Sequence, residues 1–224
     1  MASQKAVFLR SEGDEWFRRN QASLESALTP DLVPILESLK VMPATILEIG
    51  CCSGGLLERL RIAFGAECYG VEPSACAIEQ GRTAYPRVKL RQGTAEALDF
   101  QDDFFSLVIF GFCLYLCDRE DLFKIAFEAD RCLCDGGHLV ITDFEPPFPY
   151  ANRYIHHEGL LSYHMMYADM FTWNPAYQVV AHVLFKDGER SDRDSRDSRA
   201  STTVLRKRLD QAHLIDPFED TLNG

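Results

Sequence analysis

No apolar run in these 224 residues approaches the ~20 needed to span a bilayer, and the N-terminus lacks a basic segment followed by an apolar one. A soluble, unexported, cytoplasmic protein is expected. Basic charge is also scarce: 23 Lys plus Arg stand against 34 Asp plus Glu, a formal net charge of −11. Sequence-independent nucleic-acid binding rests on a basic surface, so phosphate backbones are not the expected partner. Cys-x-x-Cys pairs are missing although there are eight cysteines. They fall mostly in apolar stretches such as Phe112-Cys113-Leu114 and read as small buried hydrophobes, without bridges or a metal site. What the chain does have is 46% hydrophobic residues, enough for one domain with a buried core and too few for two.

Apolar stretches and helical patterns alternate through the first two-thirds, which predicts a parallel sheet covered by helices. Helices are expected over 12–27, where Trp16, Phe17, Asn20, Leu24 and Ala27 recur at three- and four-residue spacing, and from Thr29-Pro30 to about 40. Strands are expected at 44–49, 67–71, 87–91, 104–110 and 138–142, with 104–110 at the sheet centre. Between them lie helices over 54–64, over 74–84 with Ser74 as its cap, and over 118–134, closed by Asp135-Gly136-Gly137. Alternation then ends at Pro146, Pro147 and Pro149, and a segment dense in aromatics and histidines follows. The stretches 177–186 and 202–209 read as a hairpin, joined by a charged, serine-rich loop over 188–199 that holds no apolar residue and is expected to be mobile.

Chemistry is visible first in Glu48-Ile49-Gly50-Cys51-Cys52-Ser53-Gly54-Gly55, a glycine turn between a strand and a helix, where backbone approaches a ligand closely. Cys52 stands where a dinucleotide fingerprint has its middle glycine, and no Lys-Ser or Lys-Thr follows as in a P-loop. Glu72 ends the next strand, where a carboxylate accepts both hydrogen bonds of a ribose diol. Two strand tips thus suggest a cofactor containing adenosine.

In these residues the chain resembles the class I S-adenosylmethionine-dependent methyltransferases, over about residues 40–145. The turn from Glu48 to Gly54 is similar to the family's first motif and Glu72 to its ribose-binding acid. Gly93-Thr94-Ala95-Glu96-Ala97-Leu98 with 100–108 is similar to the third and fourth motifs, and Asp135-Gly136-Gly137-His138-Leu139-Val140-Ile141 to the turn into the fifth strand. The resemblance implies an α/β fold: a Rossmann-like, seven-stranded, mostly parallel sheet with helices on both faces and a C-terminal antiparallel hairpin. It implies a helical lid over 1–40, a cofactor core over 41–144, an acceptor-binding insert over 145–176, and hairpin strands and tail over 177–224. S-adenosyl-L-methionine is the implied cofactor. Its implied site comprises Glu48, Gly50, Cys51, Cys52, Gly54, Glu72, Pro73, Thr94, Ala95, Glu96, Gly111 and Phe112. Cys52 departs from the family's glycine, at little cost where φ is negative.

Methyl transfer from a sulfonium needs alignment and exclusion of water, and a base for some acceptors. His157, then His156 and Tyr115, are the candidate bases, and Trp16, Tyr154, Tyr163 and Trp173 the candidate acceptor contacts. The expected reaction is methylation of an O or N atom of a small polar molecule, such as a sugar, a nucleotide-linked sugar or a natural-product intermediate. No nucleic acid, membrane or metal is expected, and a homodimer is compatible with the sequence. The alternatives are an NAD-dependent oxidoreductase and an inactive cofactor-binding protein of the same fold. The absent middle glycine and the terminal hairpin argue against the first, and Cys52 is the residue on which the second turns.

Overall fold

A computed structural model describes residues 3–24, 31–186 and 199–213. Nine strands form: β1 (Thr45–Ile49), β2 (Glu67–Glu72), β3 (Lys89–Gln92), β4 (Phe105–Gly111), β5 (Leu133–Phe144), β6 (Tyr150–Arg153), β7 (Leu161–His164), β8 (Tyr177–Lys186) and β9 (Arg199–Lys207). Seven of them make one sheet in the order β3-β2-β1-β4-β5-β9-β8. The first five run parallel, and β9 pairs antiparallel with both β5 and β8. The expected Rossmann-like sheet with its antiparallel hairpin is therefore present.

β4 lies at the middle of this order and shows why: Leu107, Val108, Ile109 and Phe110 are all buried, as a strand covered on both faces requires. Leu107 and Ile109 pack with Leu36, Leu57, Leu60 and Ile78 beneath the helices α3 (Leu32–Ser38), α4 (Gly55–Phe64) and α5 (Ala75–Ala84). Val108 and Phe110 point the other way, to Ile125, Ala129 and Phe171 on α6 (Leu122–Cys132) and α7 (Asp169–Thr172). Alternation along one strand thus feeds two cores.

Several elements differ from expectation. The first helix begins well before residue 12: α1 (Gln4–Val7) continues through a stretch of wider π-type winding, Phe8–Glu12, into α2 (Gly13–Leu24). Gly13 is internal because a Cβ there would stand 2.8 Å from the Phe8 carbonyl oxygen and 3.2 Å from the Ser74 nitrogen. In α3 the cap is Asp31, whose side chain accepts from the Val33 amide, and the expected opening at Thr29-Pro30 lies outside the described residues. The fifth strand starts directly after α6, at Leu133. Asp135-Gly136-Gly137 is not a helix stop but an irregularity inside β5, with Gly136 at φ 78° and a register shift between the pairs Phe105–Leu133 and Leu107–His138.

The region after Pro149 forms the small antiparallel pair β6–β7 and then α7. Strand β8 matches its expected span, and β9 starts earlier, at Arg199. The remainder of the loop between them lies outside the described residues. Among the described residues no helix is long and apolar enough to cross a membrane, and no group of three His, Cys, Asp or Glu side chains is placed to hold a metal ion.

Candidate functional site

The parallel strands β1, β2 and β4 end together, and the turns that follow them line a partly open cavity. The first wall is the turn after β1. Gly50 adopts φ 76°, and a Cβ on it would stand 2.5 Å from Cβ of Cys113, so glycine is needed for both conformation and space. Gly54 adopts φ 82° as the residue before α4. Cys52 also lies in the left-handed region, at φ 53°, so the condition under which a cysteine costs little there is not met and the cysteine is a strained choice. Phe112, on the opposite wall, has φ 49°. Strain of this kind is held where a surrounding site demands it.

Two carboxylates stand at the tips of neighbouring strands. Glu72 is positioned by backbone: Oε2 accepts from the Cys52 amide at 3.0 Å and Oε1 from the Ser74 amide at 3.0 Å. Each oxygen keeps a further lone pair for a ligand hydroxyl. Burial raises its pKa to about 7, against the pull of those two amides. Glu48 lies behind Gly111, 3.0 Å from where a Cβ would sit, and its Oε2 is buried with no hydrogen-bond partner. Burial first, and the charge of Glu72 second, raise its pKa to about 8. An orphaned carboxylate oxygen beside a glycine cradle suits a ligand bearing a cationic or N–H donor group, and Glu72 suits a diol.

The N-terminal helix roofs the cavity with Lys5, Phe8, Gly13 and Trp16. It is tied down along its length. Asp118 accepts from the Gln4 amide at 2.8 Å and the Lys5 amide at 3.0 Å, and the Gln4 side chain bonds the Leu116 carbonyl and the Leu161 amide. Lys5 Nζ stands 2.6 Å from Asp121 and 3.5 Å from Glu96. Buried Glu12 accepts from Tyr154 at 2.8 Å and pairs with Arg19. Asp14 accepts from the Ser74 hydroxyl at 2.7 Å and the Cys76 amide at 3.1 Å.

Gly50, Cys52, Glu72, Pro73, Thr94, Ala95, Glu96, Gly111, Phe112 and Trp16, all singled out from sequence, line this one cavity. Glu48 and Gly54 shape it from behind. Cys51 is buried in the opposite direction, against Gly70 and the α3–α5 core. The remaining candidates are elsewhere. His157 bonds the Glu158 carbonyl, His156 lies edge-on to Tyr154, and Tyr115 packs against Phe144. Tyr154 holds Glu12, Tyr163 lies under the Arg119 guanidinium, and Trp173 is 74% exposed. None of these six lines the cavity. Sequence reasoning missed Lys5 and Phe8, because the π-type turn breaks the 3.6-residue period between Phe8 and Trp16, and it took Asp118 and Asp121 for the first turn of a helix. It also took Cys113 and Cys117 for packing alone, whereas both are on the wall, as protonated thiols whose pKa burial raises. All eight cysteines are free.

Comparison with known proteins places this geometry. The methyltransferase-domain family matches residues 47–141. An uncharacterised methyltransferase of Synechocystis sp. is 29% identical over 112 residues, 50% of this chain and 53% of that protein, so the chain spans about half of that relative's length. The uncharacterised methyltransferase YcgJ of Bacillus subtilis is 27% identical over 207 residues, covering 80% of this chain and 76% of that one. Among solved structures, the Burkholderia thailandensis 1,6-didemethyltoxoflavin-N1-methyltransferase, with 1,6-didemethyltoxoflavin and S-adenosylhomocysteine bound, superposes with a TM-score of 0.68 at 17% identity, covering 91% of this chain and 88% of that one.

Proposed function

We propose that this chain is a class I S-adenosylmethionine-dependent methyltransferase and that it methylates an O or N atom of a small polar acceptor. In this reading Glu72 takes the ribose hydroxyls, and Thr94, Ala95 and Glu96 border the adenine. Gly50 and its neighbours cradle the methionine part, with the orphaned oxygen of Glu48 behind them. Gly111 and Phe112 face the reacting methyl. S-adenosylmethionine supplies, when bound, a methyl group already activated on a sulfonium. The chain's own residues supply alignment and a dry enclosure.

The observation that carries the small acceptor is the roof. Phe8 and Trp16 of the N-terminal helix line the same cavity as Gly111 and Phe112, and so cover part of the space in which an acceptor would meet the methyl group. Charge narrows the class further. Lys5 is the one basic side chain on the described wall and already faces two carboxylates, while Glu72, Glu96, Asp118 and Asp121 add negative charge. A phosphate-bearing acceptor, a nucleotide-linked sugar included, meets no partner there. No histidine lines the described wall. An acceptor nitrogen with a free lone pair, or a hydroxyl acidic enough to ionise unaided, fits such a wall. The name of the Burkholderia neighbour specifies an N-methylation on the same fold.

The test is an acceptor screen with isotopically labelled S-adenosylmethionine and matched small amines, phenols, neutral sugars and their phosphorylated forms. Label in the uncharged members supports the reading. Label confined to phosphorylated or polymeric acceptors overturns it.

A further inference from the structure

We propose that Lys5 is a latch on the cofactor lid, and that its ion pairs with Asp121 and Glu96 set how long a bound cofactor stays. The inference rests on the reading that this cavity is the cofactor's. It begins from the two separate ways in which the N-terminal helix is held. The α2 part is pinned to the start of α5 by Asp14, with Gly13 fitted against Ser74. The α1 part is held at the other side of the cavity, by Asp118, by the Gln4 side chain and by Lys5. The π-type stretch Phe8–Glu12 lies between the two anchorages. Four residues of helix have no stability of their own, so α1 persists through its anchors.

Among those anchors Lys5 is the one whose loss makes the closed state unfavourable. Its ammonium stands 2.6 Å from Asp121 and 3.5 Å from Glu96, which belong to segments on either side of β4. Asp118 holds the backbone beside it. Without the ammonium, Asp121 and Glu96 lose the cation they share, and their repulsion favours an open α1. A ligand beneath α1 leaves on that side only when these bonds break, so the latch acts on release more than on capture. The side chains of Lys5 and Asp121 are 35% and 16% exposed, so salt reaches the pair and weakens it. Lys5 is a positioning residue in this scheme, because it acts through the lid.

The experiment follows release of S-adenosylhomocysteine by stopped-flow fluorescence in a Trp173→Phe background, where Trp16 on the cavity wall is the remaining tryptophan. The expected result for Lys5→Met is a release rate raised about ten-fold with association changed less than about two-fold, while Lys5→Arg stays near the parent. Raising salt to about 1 M should speed release from the parent, by screening the ion pairs, and slow it from Lys5→Met, by screening the carboxylate repulsion. Equal release rates in the parent and Lys5→Met, or release from Lys5→Met speeded by salt as in the parent, would overturn the latch. Calorimetry separates the two claims. If the parent does not bind S-adenosylhomocysteine at all, the cofactor reading itself fails, whereas binding with unchanged kinetics defeats the latch alone.

Discussion

Replacing Cys52 by glycine and by alanine tests the strain in the turn after β1. Cys52 adopts φ 53°, a conformation that costs an L-residue roughly 1–2 kcal/mol. Both substitutions remove the thiol, so its lost contacts cancel in the comparison. Glycine relieves the strain, and alanine keeps it. Against that relief, glycine gives the unfolded chain more freedom than alanine, worth about 0.5–1 kcal/mol. The balance puts Cys52→Gly about 0.5–1 kcal/mol above Cys52→Ala in stability, the reverse of the order at an ordinary site. Urea unfolding of both variants, with equal slopes, measures this difference. An alanine variant as stable as the glycine variant, or more so, would refute a strained Cys52. The same pair reads function, because the Cys52 amide holds Glu72: the glycine variant should keep cofactor binding.

Three further outcomes are expected. Gly50→Ala should abolish measurable cofactor binding, since the new Cβ lies 2.5 Å from that of Cys113 at φ 76°; calorimetric binding at the parent's affinity would contradict the cradle. Burial raises the carboxyl pKa values of Glu48 to about 8, and of Glu72 and Asp143 to about 7. The folded protein then holds protons that the unfolded chain has released above about pH 4.5, so this contribution is full in acid and lost as pH rises through 7 to 8. Thermal scans without ligand should show a falling Tm over about pH 5.5–8.5, and a flat profile would contradict it. Cofactor affinity should move the other way, rising from about pH 6 to 8 with proton release on binding, because a ribose diol donates to ionised Glu72; calorimetry in buffers of different ionisation enthalpy reads that release.

Much of this architecture was legible because parallel strands buried on both faces write themselves as apolar runs. β4 is the clearest case, and Glu48-Ile49-Gly50 and Glu72 could be placed because each sits at the end of such a run. What could not be read depends on tertiary contact. The helix start expected at residue 12 lies within a longer helix, and Gly136-Gly137, which looks like a helix stop in one dimension, lies inside a strand, where packing and register override local preference. Lys5 and Phe8, on the cavity wall, escaped because the π-type turn interrupts the helical period. Histidine-rich sequence drew attention to His156 and His157, although residue type carries no information on which way a loop turns. Their side chains lie outside the cavity that Trp16, Glu72 and Phe112 share.

The central claim is that Glu72 and the glycine turn hold S-adenosylmethionine, and titration calorimetry with the parent and Glu72→Ala tests it most directly. The parent should bind S-adenosylmethionine and not NAD. Glu72→Ala should weaken cofactor binding by about 1–3 kcal/mol, the worth of charge-assisted hydrogen bonds to a diol. Unchanged affinity in Glu72→Ala, or preference for NAD in the parent, would contradict it.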